Sequence, residues 1–492
     1  MLQPSLPQLK ALAKTHQRGV VPVVRELLAD SLTPVSAFER LTAGYNGPAC
    51  LLESVEGGER LGRYSFIGLQ PSAIVHLRTR DGDPLVPLRA LAETDGPYIQ
   101  PPGLRLPRLT GGAIGWLGYE AVTAFERLPR APHKPYGDVP DGVWARFDAL
   151  AAFDHLRHSL LLIAHVRLHA PDLQEAYAQA MATIDSMQQR LSSPLAATRP
   201  VVELPAVDPH HLPMFEQSNT TREEYHAVVE RGKEYIKAGD IFQFVPSQRF
   251  ERPTHADSWT IYRALRAINP SPYMYLLRGF AGDIIGASPE MLLRVEGGVV
   301  ETHPIAGTRR RGVNEAQDAA LAADLLADEK ERAEHLMLVD LGRNDVGRVS
   351  VPGSVRVPRF MTIERYSHVM HLVSRVTGQL RPELHPLDAL RACFPAGTVS
   401  GAPKIRAMEI IAELEHDERG PYAGCVGYLG FDGTLDTAIT IRTIFLRDGV
   451  ASVQAGGGIV YDSEADNEWH ETQNKARALL RAIEVAETLG EH

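Results

Sequence analysis

The chain has 492 residues, of which 44% are hydrophobic and 23% charged, and its formal net charge is -10 at pH 7. This composition is that of a globular protein with enough chain to bury a large core. The acidic balance excludes a general nucleic-acid binder, because such proteins neutralise phosphates with clustered Lys and Arg.

The cysteines are few and widely spaced. Cys50, Cys393 and Cys425 form no CxxC pair, so the sequence predicts neither a disulfide framework nor a zinc site. The N-terminus is polar, and the longest apolar runs, such as that from Leu160 to Ala164, are too short to cross a bilayer. We therefore expect a cytoplasmic protein without a membrane segment.

The first part of the chain predicts both helices and strands. Val24, Leu27 and Leu28 follow helical spacing, whereas residues 50–54 and 63–68 alternate like the two strands of a hairpin.

Three further elements follow before the pattern breaks. The glycine-rich segment 111–120 fits neither a P-loop nor a dinucleotide-binding fingerprint, so it predicts a closely packed strand. We expect a hairpin at 149–166 and a helix at about 172–191.

A proline-rich stretch divides the chain. Prolines recur at short intervals within residues 192–217 and prevent regular structure there. We therefore expect a linker at 192–217, between an N-terminal part at 1–191 and a C-terminal part at 218–492.

The C-terminal part predicts helices and strands that do not alternate regularly. The expected helices are at 222–237, 258–268, about 315–340, 385–392, 402–415 and in a long final segment, and the longer expected strands are at 241–250, 423–431 and 436–446. Such an order favours an α+β fold with layered sheets over a doubly wound parallel sheet.

Two of the predicted helices each carry a pair of carboxylates one turn apart. Glu331 and Glu334 share one helical face, and Glu468 and Glu471 share another with Lys475. Oxygen ligands without histidine or thiolate suit Mg²⁺. A solvated acidic face is the alternative for each pair, and the two interpretations stay equally open at this point.

Three segments rich in small residues could bind an anion. They are Gly307-Thr308, residues 395–404 and Gly456 to Gly458. Free backbone N–H groups at glycine turns and helix starts favour a negative group. Each segment taken alone is more often a tight turn than a binding site.

Two histidines lie three residues apart in a segment with the pattern of a strand. Because side chains alternate between the two faces of a strand, His368 and His371 point in opposite directions, so one of them at most faces a pocket. A single inward histidine is either a proton carrier or a buried core residue.

Together these motifs resemble the chorismate-utilising enzymes. The resemblance covers essentially the whole chain and is carried by residues 51–54, 304–308, 333–345, 368–374, 397–404 and 468–475. It implies an α+β fold with layered antiparallel sheets, a β-sandwich core and helices packed outside.

The resemblance implies a site for Mg²⁺ and chorismate. Glu334 and Glu471 would bind the metal, with Glu331 and Glu468 as supporting carboxylates. The residues expected to bind the substrate's carboxylates and ring oxygens are Gly307, Thr308, Tyr422, Arg442, Gly456, Gly457, Gly458 and Lys475.

Two positions separate the reactions within this family. Relatives that make aminodeoxychorismate typically carry a nucleophilic lysine where this chain has Ala306, and relatives that add water use a lysine base where it has Gln243. The resemblance therefore favours the anthranilate-forming reaction, in which ammonia replaces a hydroxyl group and pyruvate then leaves. Glu290 is expected as the general acid, and His371 with Thr398 for the later proton chemistry.

The resemblance also implies partners and an inhibitor. No glutaminase motif surrounds the cysteines, so we expect ammonia from a glutamine amidotransferase subunit in a hetero-oligomer, or free ammonia. Tryptophan is expected as a feedback inhibitor bound by Glu53, Ser54, Pro272, Tyr273 and Met274, with core packing as the alternative role of these residues. The N-terminal part would then be regulatory and the C-terminal part catalytic.

Departures from the family pattern are small. Arg310 replaces a usual proline and Gly342 a common alanine, and we expect Gly342 to shorten its helix. The competing interpretations are a component of an aminodeoxychorismate synthase and a tryptophan-binding sensor without activity. The sensor would need a broken catalytic set, but the expected metal and acid–base residues are all present.

Overall fold

The fold is described by a computed structural model, in which the described residues are 2–54, 62–94, 96–194, 215, 217–366 and 369–490. Most of the predicted linker lies outside the described residues, as does His368, so the expectations for both stay predictions.

Two large antiparallel sheets form the centre of the molecule. The strands are β1 (Leu2–Gln3), β2 (Val20–Leu28), β3 (Ala49–Glu53), β4 (Tyr64–Leu69), β5 (Ala73–Leu77), β6 (Gly112–Leu117), β7 (Gly142–Phe147), β8 (Ala149–Asp154), β9 (Ser159–Arg167), β10 (Gln217–Ser218), β11 (Gln243–Phe244), β12 (Ser247–Pro253), β13 (Tyr273–Arg278), β14 (Asp283–Ser288), β15 (Met291–Glu296), β16 (Val299–Thr302), β17 (Ile305–Arg310), β18 (Arg356–Arg365), β19 (Val369–Gln379), β20 (Gly401–Ala402), β21 (Cys425–Gly430), β22 (Leu435–Ile439), β23 (Thr443–Arg447) and β24 (Val450–Gly456).

Each sheet has a simple strand order. Sheet I runs β1-β2-β9-β8-β4-β3-β13-β14-β23-β24-β12-β10, and sheet II runs β17-β19-β16-β15-β22-β21-β6-β7-β5, with β18 also paired to β19. Both sheets combine strands from either side of the predicted linker. In sheet I, for example, Leu51 of β3 lies opposite Leu276 of β13.

Helices flank the sheets. They are α1 (Leu6–Thr15), α2 (Pro34–Thr42), α3 (Leu85–Ala92), α4 (Leu173–Ser192), α5 (Arg222–Ala238), α6 (Ser258–Ile268), α7 (Glu315–Ala327), α8 (Glu329–Gly347), α9 (Pro386–Cys393), α10 (Lys404–Leu414) and α11 (Ala465–Gly490), with 3-10 turns at Thr79–Asp81, Tyr119–Ala124 and Gly397–Val399. Among the described residues, none of these helices combines the length and the apolar character that a membrane span requires.

The hydrophobic core lies in layers that follow the sheets. Between the sheets, Phe66 and Tyr275 of sheet I pack in one cluster with Trp116 and Val426 of sheet II. A second cluster joins the outer face of sheet I to α4, α6 and α11, and a third joins the outer face of sheet II to α3, α8 and α9. The predicted α+β sandwich with helices packed outside is confirmed.

The prediction of a helix around Val24, Leu27 and Leu28 is wrong. These residues belong to strand β2, which pairs along its whole length with β9. The β-branched run at the start of β2 favours a strand, and a partner strand supplies the hydrogen bonds that decide the outcome.

The predicted helix at about 315–340 is instead two helices. Asp328 ends α7 and caps α8, accepting hydrogen bonds from the backbone N–H groups of Lys330 (3.0 Å) and Glu331 (3.1 Å). The expectation that Gly342 shortens this helix is also wrong, because α8 continues to Gly347. Packing against β17 and β19 outweighs the weak helix propensity of one glycine.

Two predicted long strands are interrupted. The segment 241–250 forms β11 and the start of β12, and the segment 436–446 forms β22 and β23. At the second interruption Arg442 has a φ of 51°, a left-handed conformation that ends one strand and starts the next in the other sheet. Both interruptions lie at the candidate site.

Replacing Gly232 by alanine should destabilise the protein. A Cβ at Gly232 of α5 would come within 1.9 Å of Cε1 of Phe244, so the gain in helix propensity is outweighed by overpacking. We expect a loss of about 1–3 kcal/mol in the free energy of unfolding, measured by chemical denaturation. Gly347→Ala is the matched control, since no atom lies within 4 Å of its Cβ position, and it should not be destabilising.

Candidate functional site

A cavity of about 430 Å³ lies where α8 and α11 meet β17 of sheet II and the end of β24 in sheet I. Its polar and glycine lining includes Gln243, Glu290, Gly307, Thr308, Lys330, Glu331, Glu334, Thr398, Tyr422, Arg442, Gln454, Gly456, Gly458, Ser463, Glu468, Glu471 and Lys475. Thus most of the residues predicted to bind the metal and the substrate lie around one space, although they come from distant parts of the chain.

The two carboxylate pairs face the same cavity. Glu334 of α8 accepts a hydrogen bond from Nε2 of Gln243 at 3.3 Å. Glu471 of α11 forms an ion pair with Nζ of Lys475 at 2.7 Å. Nη1 of Arg309 lies 3.4 Å from Oε1 of Glu331. Helical spacing therefore places both pairs where a shared ligand can reach them.

These carboxylates fit a divalent cation. Burial raises the pKa of Glu331 and of Glu468, and the negative charges of the neighbouring Glu334 and Glu471 raise them further. Oε2 of Glu468 is buried and has no hydrogen-bond partner in the described part of the chain. A bound cation would relieve both the charge repulsion and the missing partner.

The donor set suits Mg²⁺ in particular. Within the described residues, no three His, Cys, Asp or Glu side chains already converge as a metal cluster. Mg²⁺ is usually held by one or two carboxylates together with waters and substrate oxygens, so it does not require such a cluster. Glu334 and Glu471 are the predicted direct ligands.

Two cationic side chains line the same cavity beside Glu471. Arg442 lies between β22 and β23, and burial lowers the pKa of its guanidinium while the charge of Glu471 opposes that shift. Nζ of Lys475 donates to the carbonyl of Gly456 at 2.8 Å. Two cations in a partly desolvated wall are of the kind that binds carboxylates, so their predicted role in substrate binding stays a prediction.

The glycine run lies close to its neighbours, most tightly at Gly456, whose Cβ position would be 2.7 Å from the carbonyl oxygen of Pro246. A Cβ at Gly456 would lie 2.8 Å from the Tyr422 hydroxyl, and one at Gly458 would lie 2.5 Å from Nε2 of Gln243. Gly457 does not line the cavity, and its Cβ position lies 2.9 Å from Oε2 of Glu468. The glycine run therefore lets the strand end lie against side chains of the site.

Glu290, the predicted general acid, lines the cavity. It lies in the short link between β14 and β15, and Oγ1 of Thr398 donates to its Oε1 at 3.0 Å. Burial raises the pKa of Glu290 to about 8, and the hydrogen bond from Thr398 only partly opposes this. The carboxyl group is therefore mostly protonated at neutral pH.

His371 lies behind the wall that Gly307 and Thr308 form. Its Nδ1 is 2.9 Å from the Gly307 carbonyl and 3.1 Å from Oγ1 of Thr308. Because a carbonyl only accepts, Nδ1 carries the proton and Nε2 is left as a base. Burial lowers the pKa of His371, which keeps the ring neutral. His371 is not itself part of the cavity lining.

Three polar lining residues were missed by the sequence analysis. Lys330 precedes the first carboxylate pair. Gln454 lies two residues before Gly456 on the same strand face, and Ser463 lies just before α11. Lys330 could have been predicted, because it lies next to Glu331 in the sequence. Gln454 donates from Nε2 to Oγ of Ser247 at 2.9 Å, a contact that no sequence pattern predicts.

A second, smaller cavity of about 80 Å³ lies between the two sheets, and we call it the inter-sheet slot. All five residues of the predicted tryptophan site, Glu53, Ser54, Pro272, Tyr273 and Met274, line it. Oγ of Ser54 is buried and has no hydrogen-bond partner among the described residues, so it is available to a ligand.

The carboxylate of Glu53 is already engaged in this structure. It accepts hydrogen bonds from the Tyr262 hydroxyl at 2.5 Å and from Nε of Arg266 at 3.0 Å. A ligand amino group at Glu53 would therefore share the carboxylate with Tyr262 and Arg266.

Comparison with known proteins gives concordant matches. The profile of a family described as chorismate binding enzyme matches residues 47–481. Anthranilate synthase component 1 of Acetivibrio thermocellus is 45% identical over 99% of each chain, and that of Mycolicibacterium smegmatis is 48% identical over 99% of this chain and 95% of that protein. The crystal structure of anthranilate synthase component I from Streptococcus pneumoniae has a TM-score of 0.75 and 38% identity, covering 93% of this chain and 99% of that one.

Glu290 should make stability depend on pH. Because its pKa is raised from 4.5 to about 8, the folded protein holds a proton that the unfolded chain releases in this interval. This contribution is fully present below pH about 4.5 and is lost as pH rises through about 8. Glu290→Gln lacks this titration. The free energy of unfolding of the variant minus that of wild type should therefore rise by about 2 kcal/mol or more from pH 5 to pH 9.

Urea denaturation at the two pH values checks this expectation. The buried Glu120, whose pKa is raised to about 7, contributes in the same direction in both proteins and cancels in the difference. Glu329→Gln, at an exposed position on α8, is the control. A difference between Glu290→Gln and wild type that does not change with pH would contradict the environment described for Glu290.

Proposed function

The chain belongs to the family of chorismate binding enzymes, and we propose that it is the chorismate-binding component of an anthranilate synthase. The reaction converts chorismate and ammonia to anthranilate, pyruvate and water. The observation that carries the proposal is the meeting of two carboxylate pairs, the buried Glu290 and the cations Arg442 and Lys475 around one cavity.

Chorismate is a dianion, and the cavity offers groups for both of its carboxylates. Arg442 and Lys475 supply positive charge, and Gly456 and Gly458 line the cavity at and just beyond the end of β24. Mg²⁺, held by Glu334 and Glu471, would bind a substrate carboxylate and stabilise charge that develops on the ring. Glu331 and Glu468 would support that ion.

In the first half-reaction the nitrogen of ammonia forms a bond to C2 of the ring. The double bonds shift, the bond from C4 to its hydroxyl oxygen breaks, and Glu290 gives its proton to that oxygen, which leaves as water. A carboxyl group whose pKa is raised to about 8 still carries this proton at neutral pH. Thr398 orients the carboxyl through its hydrogen bond to Oε1.

In the second half-reaction the amino intermediate becomes aromatic. C2 loses its proton, the bond from C3 to the enolpyruvyl oxygen breaks, and pyruvate forms when its enolate takes up a proton. We assign the removal of the C2 proton to His371, whose Nδ1 is held by the Gly307 carbonyl so that Nε2 is a base. Thr308, whose Oγ1 lies 3.1 Å from the same Nδ1, would help to hold the ring in this orientation.

The side chains at two further positions favour this reaction over the other reactions that members of the family catalyse. Ala306 provides no amine for covalent attack on the substrate. Gln243 lines the cavity, and its Nε2 donates a hydrogen bond to Glu334. A neutral amide is too weak a base to activate water. Ammonia is therefore the nucleophile that the site favours.

The remaining features belong to the same proposal. The three cysteines are buried, and burial raises the pKa of each thiol, so none is a reactive thiolate that could release ammonia from glutamine. Ammonia would therefore come from a glutamine amidotransferase subunit in a hetero-oligomer. Tryptophan would inhibit from the inter-sheet slot, where the free hydroxyl of Ser54 is available. The proposal also assigns a regulatory role to residues 1–191, a catalytic role to residues 218–492 and a cytoplasmic location to the protein.

The alternative is a tryptophan-binding sensor that has lost catalysis. An assay with chorismate, ammonium and Mg²⁺ decides between the two, since anthranilate is fluorescent. Wild type should form anthranilate, and Glu334→Gln and Glu471→Gln should lose at least about a hundredfold in kcat/KM because each removes a ligand of the metal. Mn²⁺ binding followed by EPR should weaken in both variants, while Glu329→Gln should match wild type. Tryptophan binding by a wild-type protein that forms no anthranilate would favour the sensor.

The two half-reactions should respond to different residues. His371→Asn should slow elimination from the isolated amino intermediate by about a hundredfold or more, so that this intermediate accumulates when chorismate is supplied. Glu290→Gln should show the reverse pattern, with little amination and intact elimination. Chromatography of the intermediate and an enzymatic assay of pyruvate measure both steps. Unchanged elimination in His371→Asn would contradict its assignment.

A further inference from the structure

Glu290 lies at a corner between the two sheets. β14, which precedes it, belongs to sheet I, and β15, which follows it, belongs to sheet II. Pro289 and Glu290 are the two residues of the link. The position of the Glu290 carboxyl group therefore depends on how the two sheets are held relative to each other at this point.

The backbone of the corner is fastened to β22. Oγ of Ser288 donates to the carbonyl of Ile439 at 2.7 Å, and the N–H of Ile439 donates to the carbonyl of Glu290 at 3.0 Å. On the sheet I side, Ser288 is the direct strand partner of Tyr273. Tyr273 and β22 are thus the elements that flank the corner on its two sides.

A buried polar network connects these two elements. The hydroxyl of Tyr273 donates to Oδ1 of Asp436 at 3.2 Å and accepts from Nη2 of Arg294 at 3.2 Å. Nε of Arg294 donates to Oδ2 of Asp436 at 2.9 Å. Arg294 and Asp436 are direct strand partners within sheet II, so the Tyr273 hydroxyl is the part of this network that comes from sheet I.

We propose that Tyr273, Arg294 and Asp436, the inter-sheet triad, position Glu290 for the departure of the C4 hydroxyl. The inference rests on the proposed function. The ion pair is 9% exposed on each side chain, so its hydrogen bonds do not compete with bulk water and hold the hydroxyl of Tyr273 in one place. Because the Tyr273 hydroxyl of sheet I is held by the ion pair of sheet II, the triad fixes the separation of the two sheets beside the corner that carries Glu290.

The positioning role follows from the sensitivity of proton transfer to distance. A general acid acts within hydrogen-bond reach of the leaving oxygen, and a displacement of about 1 Å can reduce the rate about a hundredfold. The triad also lines the inter-sheet slot, so a ligand bound there contacts the residues that hold Glu290. His371 lies on β19 and is held by Gly307 and Thr308 of β17, so the elimination step should not depend on the triad.

Tyr273→Phe is the sharpest test, because it removes the hydroxyl and leaves the ring and the ion pair within sheet II. We expect kcat for chorismate consumption with ammonia to fall roughly tenfold, while elimination from the isolated amino intermediate stays within about twofold of wild type. Asp436→Asn removes the charge that orients Arg294 and should give the same pattern.

Tyr275→Phe is the matched control. Tyr275 lies two residues along the same strand, and its hydroxyl is hydrogen-bonded to Oγ1 of Thr443 at 2.7 Å within sheet I. Its removal costs a buried tyrosine hydrogen bond as well, but one that does not cross between the sheets. Both half-reactions should stay within about twofold of wild type in this variant.

The outcomes separate the positioning role from general damage and from the proposed function. Two results would overturn the positioning role. One is an unchanged rate of amination in Tyr273→Phe, and the other is an equal loss of both half-reactions in Tyr273→Phe and in Asp436→Asn. The same loss of amination in Tyr275→Phe would also overturn it. Absence of anthranilate from wild type would contradict the proposed function itself, whereas an active wild type beside an equally active Tyr273→Phe contradicts the positioning role alone.

Discussion

The crowding of like charges in one partly buried cavity is the constraint on which the site depends. Glu331 and Glu334 on α8 face the same space as Glu468 and Glu471 on α11. Carboxylates that share a desolvated site raise one another's pKa values unless a cation compensates them. Lys475 compensates Glu471 and Arg309 partly compensates Glu331, and a divalent ion would compensate the remaining charge. The arrangement is costly for an empty protein and favourable for one that binds a metal and an anionic substrate together.

The sandwich converts this local chemistry into a defined geometry. Strands from both ends of the chain share each sheet, and the links that cross between sheets carry site residues. Glu290 lies on one such link, between β14 and β15, and Arg442 lies on another, between β22 and β23. A link between two packed sheets is held at both ends, so its side chains are more precisely placed than those of a free loop. The inter-sheet slot lies beside the first link, since Tyr273 lines the slot and is the strand partner of Ser288.

Local sequence signals predicted what local forces decide. The helical spacing of Glu331 with Glu334, and of Glu468 with Glu471, placed each pair on one face, and the structure brings both faces to one cavity. Predictions failed where packing partners outweighed propensity: the apolar run before Leu28 became a strand because β9 pairs with it. Likewise, Asp328 divided a predicted helix in two, since its carboxylate caps the second helix.

By itself, the sequence determined the α+β class, the acidic helix faces, the small-residue turns and the set of residues available for chemistry, because these depend on side-chain type and short-range spacing. Only the tertiary structure decided that Glu290 is buried enough to keep its proton, since burial depends on segments far away in the chain. It also placed His371 behind Gly307, outside the cavity lining, and joined Tyr273 to Asp436 across the sheets. Such contacts join residues from different strands and sheets, and no periodicity in the sequence records them.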